Sequence, residues 1–324
     1  MTATTRQHRT DGSLRHLLTL EGLSRAELEM LLERSQHHVR AAGEPAPRST
    51  ALAGVTIANM FTEPSTRTRV SFELAAKRLG AEVVNLEVQL SSRVKGESML
   101  DTVFTLESLH VDVFVLRDSE AGVPAMVAAH VAPHVSVLSA GEAHLSHPTQ
   151  GLLDALTVLQ HKRRCDGLAI AIVGDIRHSR VARSACQAFR TLGTTDLRIV
   201  APEALMPDAG EFAGCTRTTD LQRGIAGCDV VMMLRIQKER FENTAIPAGD
   251  EYFREFGLTA ERLALAKPDA IVMHPQPMNR GVEIDGRVAD GPQSVIRTQV
   301  ANGVAVRMAA LEVLAAPLAA RRGR

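Results

Sequence analysis

Apolar runs of strand length recur along the whole chain, and a segment of helical periodicity follows most of them. The first series reads as strands at 54–61 (GVTIANMF), 81–87 (AEVVNLE), 111–117 (VDVFVLR) and 135–139 (VSVLS), with helices at about 66–79, 97–110 and 122–130. A longer helical stretch, 150–163 (QGLLDALTVLQHKR), comes next. The alternation then restarts with strands at 168–175 (LAIAIVGD), 196–202 (DLRIVAP), 228–235 (CDVVMMLR) and 270–277 (AIVMHPQP), and an apolar helix over about 294–316 closes the chain. Continuous apolar strands separated by amphipathic helices predict parallel sheets covered on both faces. Two such series predict an α/β protein of two domains, each a mostly parallel sheet flanked by helices, joined by a long helix with the active site in the cleft between them. The expected boundaries are 1–149 plus about 294–324 for one domain and 150–293 for the other, with 150–164 as the linking helix.

A length of 324 residues agrees with two cores better than one. Lys plus Arg and Asp plus Glu balance at 37 each, which argues against a nucleic-acid partner and makes local cationic clusters informative. The four cysteines, Cys165, Cys186, Cys215 and Cys228, show neither CxxC pairing nor ligand-like spacing, so free thiols in a reducing cytoplasm are expected. The first residues lack the apolar core of a signal peptide, and the apolar runs are strand-length, so no membrane association is expected. Segment 41–49 and the RRGR tail read as loose.

In open α/β sheets, ligands sit beyond the carboxyl ends of strands. The loops there share a character. The first strand runs into PSTRTR, where Ser65, Thr66, Arg67 and Thr68 crowd hydroxyls and a guanidinium at a helix start, whose free N–H groups and dipole favour an anion such as phosphate. The third strand ends on Arg117. The fourth leads to His147, Pro148, Thr149 and Gln150. Later strands end in GDIRHSRVARS (174–184), with Arg177, His178 and Arg180, in RIQKER (235–240), with Arg235 and Gln237, and in HPQP (274–277), where prolines flank Gln276. Five cationic strand ends in a neutral protein predict small substrates with several negative charges.

Other chemistries lack their signatures. His144 and His147 have no third ligand at metal-site spacing, so no metal is expected. No GxGxxG follows the first strand, no GxxxxGK[ST] occurs, and GxSxG is absent. No cofactor is expected.

Together, PSTRTR (64–69), VKGES (94–98), HPTQ (147–150), GDIRHSRVARS, RIQKER and HPQPMNRGVEI (274–284) closely resemble the aspartate/ornithine carbamoyltransferase family, in order and over essentially the whole chain. PSTRTR and HPTQ are shared across that family; the other motifs resemble its aspartate branch. The ornithine branch uses an HCLP segment and a D-x-x-x-S-M-G segment, where this chain has HPQP and RIQKER. Some members carry Leu at the place of Gln276.

The resemblance implies transfer of a carbamoyl group from carbamoyl phosphate to L-aspartate, the committed step of de novo pyrimidine (UMP) synthesis. It makes the first domain the carbamoyl-phosphate-binding one and the second the aspartate-binding one. Ser65, Thr66, Arg67 and Thr68 would bind phosphate, with Thr68 also touching the carbamoyl oxygen. Arg117 would bridge phosphate and carbonyl, and His147 would donate to the carbonyl oxygen. Gln150 and the backbone at Pro275 and Gln276 would hold the carbamoyl NH2. Arg180 and Arg235, assisted by Gln237, would bind the aspartate carboxylates. Ser91 and Lys95 would reach into the site of a neighbouring subunit, where Lys95 would act in catalysis and in aspartate binding, implying a homotrimer with shared sites. Association with a regulatory chain or with dihydroorotase occurs in this family. Segment 236–256, with Pro247 and Gly249, reads as a loop that moves on domain closure.

The residue types suit that chemistry. Carbamoyl phosphate is already activated, so the catalyst must align the amine and stabilise a tetrahedral oxyanion; alignment alone supplies up to about 7–11 kcal/mol. Competing readings are a transcarbamylase for another amino acid and a non-catalytic carbamoyltransferase-like subunit. The second has no use for Arg67, Lys95, Arg117, His147, Arg180 and Arg235 together.

Overall fold

A computed structural model of the chain describes residues 7–41, 43–87, 98–236 and 249–322. The chain divides into two compact units, Met1–Leu152 with Asn302–Arg324, and Leu153–Ala301.

The first unit holds a four-stranded sheet of β1 (Thr56–Phe61), β2 (Glu82–Glu87), β3 (Val113–Asp118) and β4 (Ser136–Glu142), in the order β2-β1-β3-β4. Every pairing is parallel. Helices α1 (Arg25–His38), α2 (Thr66–Arg78), α3 (Met99–Ser108) and α4 (Val123–His130) belong to the same unit. Ile57 and Ala58 of β1 and Val113, Phe114 and Val115 of β3 are all buried, although successive residues point to opposite faces. The sheet is therefore covered on both sides, as unbroken apolar strands require. Each of the larger side chains, Ile57, Val113, Phe114 and Val115, contributes about 1.5–3 kcal/mol when removed from water.

Helix α5 (Pro148–Lys162) starts in the first unit and continues into the second. The second unit contains β5 (Ala169–Val173), α6 (Arg180–Thr191), β6 (Asp196–Val200), β7 (Thr216–Thr218), α7 (Leu221–Ile225), β8 (Val230–Met233), α8 (Gly249–Phe256), α9 (Ala260–Leu263), β9 (Ile271–Met273) and α10 (Gly286–Ala289). Its parallel sheet has the order β7-β6-β5-β8-β9. The last helix, α11 (Ile296–Arg322), ends in the first unit.

The structure adds elements that apolar patterning does not signal. Strand β7 is the polar tripeptide Thr216-Arg217-Thr218, recruited by pairing with β6. Helix α1 has a capping box: Ser24 accepts from the Glu27 amide, and Glu27 returns to the Ser24 backbone. Part of the expected mobile loop 236–256 is corrected to helix α8, because Tyr252 and Phe256 are spaced to bury one face (1% and 4% exposed). Residues 296–318 are long and apolar enough to cross a bilayer by length and composition, beyond the strand-length runs noted in the sequence. Their burial of Val306, Met308, Leu311 and Leu314 marks a core helix.

Candidate functional site

In the first unit, β1, β3 and β4 are neighbours, and the expected anion-binding residues follow their carboxyl ends. Beyond β1, Ser65 is the N-cap of α2, with an extended φ of −159° and no capping hydrogen bond from its side chain. Ser24, Ser98 and Ser179 at other helix starts do accept an amide in that way. Thr66 and Arg67 are exposed and Thr68 is buried. Arg117, the penultimate residue of β3, donates from Nη1 to the Ala140 carbonyl at 3.2 Å, and its Nη2 pairs with Glu63. Its own carbonyl accepts from the Thr62 amide (3.0 Å) and hydroxyl (3.2 Å). The Arg117 backbone thus fixes the loop that its side chain faces. His147, after β4, is 5% exposed, and its carbonyl accepts the amides of Gln150 (2.9 Å) and Gly151 (3.2 Å). Pro148 begins α5, where a missing N–H costs nothing.

One further cation belongs to this group, and the sequence reading missed it. Arg307 of α11 is 5% exposed, with its guanidinium carbon 4.9 Å from the centre of the Phe72 ring on α2. Burial first, and then the charge of Arg117, pull its guanidinium down to about 9. The only sequence signal is an arginine inside the apolar run VAVRMAAL.

In the second unit, β5, β8 and β9 are neighbours. Beyond β5, Gly174 has φ +135°, and a Cβ there would stand 2.9 Å from both the Leu234 Cβ and the Leu234 carbonyl oxygen, so the β5 and β8 ends approach as only glycine allows. Arg180 is the first residue of α6, after the N-cap Ser179 that accepts from Ala182 at 3.0 Å. Its neighbours are engaged locally. Arg177 donates to the Met206 carbonyl at 2.9 Å, and Arg183 pairs with Glu211. Arg235 lies two residues past β8 and is half-buried.

Beyond β9, Pro275 and Gln276 are half-buried, and Gln276 adopts φ +61° before a cis bond to Pro277. The His274 Nδ1 accepts the Gln276 amide at 2.9 Å. The ring proton therefore sits on Nε2, which donates to Glu283 at 3.1 Å. The His274 amide donates to Gln299 (2.9 Å), and Gln299 donates to Asp154 (2.7 Å), all buried. Asn279 donates to the Ile236 carbonyl at 3.0 Å, tying this segment to the end of β8. Sequence reasoning did not reveal this support, because its partners are distant along the chain. Ser91, Lys95 and Gln237 lie outside the described residues.

Each unit thus presents hydroxyls, guanidiniums and amides at adjacent strand ends, a donor set suited to phosphate and carboxylate oxygens. Residues 15–160 match the family model for the carbamoyl-P binding domain of aspartate/ornithine carbamoyltransferase, and residues 166–314 match the model for its Asp/Orn binding domain. Among solved structures, aspartate transcarbamoylase from Trypanosoma cruzi in complex with carbamoyl phosphate and aspartate is similar at 32% identity, TM-score 0.81, over 93% of this chain and 96% of that one. Ornithine carbamoyltransferase from Thermus thermophilus is similar at 26% identity, TM-score 0.81, over 93% of this chain and 98% of that one. Ornithine carbamoyltransferase from Pyrococcus furiosus is similar at 29% identity, TM-score 0.81, over 93% and 96%.

Proposed function

The chain belongs to the aspartate/ornithine carbamoyltransferase family and is a carbamoyl-transferring enzyme, and on that premise we propose that its acceptor is L-aspartate. The observation that carries this reading is the pair of arginines at neighbouring strand ends in the second unit, Arg180 after β5 and Arg235 after β8. Two guanidiniums suit an amino acid with two carboxylates and repel one with a cationic side chain.

In this reading Ser65, Thr66, Arg67 and Thr68 receive the phosphate of carbamoyl phosphate. Thr68, Arg117 and His147 donate to the carbonyl oxygen, where negative charge develops as the aspartate amine attacks. Each such donor is worth roughly 3–4 kcal/mol of barrier. Gln150 and the Pro275–Gln276 backbone orient the carbamoyl NH2, and Gln237 assists the arginines at the acceptor. The C–O bond to phosphate breaks as the C–N bond forms, and the departing phosphate is a suitable acceptor for the amine proton. Ser91 and Lys95 are assigned to the site of a neighbouring subunit, which makes the protein a homotrimer. The product, N-carbamoyl-L-aspartate, places the enzyme in pyrimidine synthesis in the cytoplasm.

The test is phosphate release from carbamoyl phosphate with aspartate, ornithine and other amino acids offered in parallel. Aspartate alone should support turnover, and Arg235→Ala should raise the KM for aspartate at least tenfold, about 1.4 kcal/mol. Turnover with ornithine or another acceptor would overturn the assignment of Arg180 and Arg235. Absence of turnover with any acceptor would favour a non-catalytic subunit.

A further inference from the structure

Away from these residues, the second unit holds two cysteines whose sulfurs lie 3.8 Å apart. Cys186 sits in the middle of α6 and is 3% exposed; Cys215 immediately precedes β7 and is half-buried. The turn carrying Cys215 lies along α6. Arg183 of that helix pairs with Glu211 and stands 5.2 Å over the Phe212 ring, and Arg190 Nη2 donates to the Cys215 sulfur at 3.3 Å. We propose that Cys215 and Cys186 form a reversible dithiol–disulfide pair, with Cys215 the attacking thiol and a low-molecular-weight disulfide the oxidant.

The environment divides the labour between the two sulfurs. One proton serves both: kept on Cys186, it lets that S–H donate to a Cys215 thiolate. This hydrogen bond, followed by the Arg190 charge, draws the Cys215 thiol down to about 7 against the opposing effect of burial. The same bond and burial raise Cys186 well above the ordinary thiol range. A low thiol beside a cation is the reactive arrangement, and a buried thiol in apolar surroundings is the inert one. Cys228 is likewise held as the thiol, pushed up to about 11 chiefly by burial.

The exchange balances. The Cys215 thiolate attacks one sulfur of the small disulfide, whose S–S bond breaks to release a first thiolate. Cys186 then gives up its proton and attacks Cys215 Sγ, expelling the second thiolate. Two protein thiols are oxidised, one small disulfide is reduced to two thiols, and the protons pass to the leaving groups. The protein sulfurs must close to about 2 Å, and the bond would staple the turn to α6.

The experiment uses the reduced full-length protein. Limiting iodoacetamide across a pH series, read by peptide mass, should label Cys215 first, with a half-maximal rate near pH 7 and at least about tenfold ahead of Cys228. Oxidised glutathione should then give a Cys186–Cys215 cross-linked peptide that dithiothreitol reverses. Cys186→Ala should stop the second step, leaving glutathione on Cys215, and move the alkylation midpoint upward. If that variant does not fold, the parent's labelling profile and cross-link decide alone. Labelling of Cys215 with the pH dependence of an ordinary thiol overturns the proposal. So does a glutathione adduct that never resolves in the parent, or a cross-link through other cysteines.

Discussion

Arg307 lies with its guanidinium carbon 4.9 Å from the centre of the Phe72 ring, and both side chains are buried in the first unit. Stacking on an aromatic face returns part of the cost of burying a charge, up to about 2 kcal/mol when desolvated. Among the described residues no carboxylate pairs with Arg307, and its Nε has no hydrogen-bond partner. Its charge is felt at Arg117 as repulsion. A phosphate held beside Arg117 would relieve that repulsion. Arg307→Met should therefore leave the thermal midpoint at or above the parent's, since an unpaired buried charge is costly to keep out of water and an apolar side chain of similar length is not. Carbamoyl phosphate should bind about tenfold more weakly by calorimetry. A destabilised variant with unchanged affinity would make Arg307 a structural residue only.

The layout of both sheets was legible in the sequence because buried parallel strands leave unbroken apolar runs. Arg117 and Arg235 stood out as charges at the end of such runs. Arg307 did not, because an arginine in a long apolar helix reads as a surface position until the aromatic face beneath it is known. Strand β7 carries no apolar signal, since Thr216-Arg217-Thr218 is a strand only by pairing with β6. The joining of His274 to Gln299 and of Cys186 to Cys215 is tertiary, fixed by how α11 and the turn before β7 pack rather than by any local spacing.

Ser65 and Ser179 stand at equivalent places, each opening the helix after a strand, yet only Ser179 spends its hydroxyl on the helix. Ser179→Ala should cost about 1 kcal/mol in urea unfolding, the usual value of an N-cap. Ser65→Ala should cost only a few tenths of a kcal/mol, while weakening carbamoyl phosphate binding. Equal stability losses in the two variants would show that Ser65 caps α2 in solution and is not held for a ligand.

His16 is 1% exposed, and its Nδ1 accepts the Val137 amide at 2.9 Å. Burial first, then Arg15 and Arg9, hold its imidazole down to about 3, against 6.5 for an ordinary histidine. The unfolded chain therefore binds the proton that the native state refuses, and stability falls as pH drops from 6.5 toward 3. The full loss from this group is on the order of 5 kcal/mol. Urea unfolding at about pH 7 and about pH 5 should differ by roughly 2 kcal/mol from this group. His16→Asn, which can still accept the Val137 amide, should flatten that dependence. An equally steep profile in the variant would assign acid sensitivity to other groups.

Glu283 and His274 are both fully buried, and the carboxylate also accepts the Asn279 amide. The imidazole in turn holds the Gln276 amide, and so the left-handed backbone proposed to face the carbamoyl NH2. Glu283→Ala leaves both donors without their acceptor, and each buried donor left unsatisfied costs about 1–3 kcal/mol. Glu283→Gln keeps an oxygen where the carboxylate oxygen was, so its cost should stay below about 1.5 kcal/mol. Urea unfolding separates the two variants. Carbamoyl transfer, assayed where both remain folded, reads the second effect: the alanine variant should lose turnover beyond its loss of folded fraction, because the 274–277 segment no longer has a fixed backbone. If both variants lost the same stability, charge rather than hydrogen-bond geometry would be what Glu283 supplies. If turnover simply tracked the folded fraction, Gln276 would need no such support.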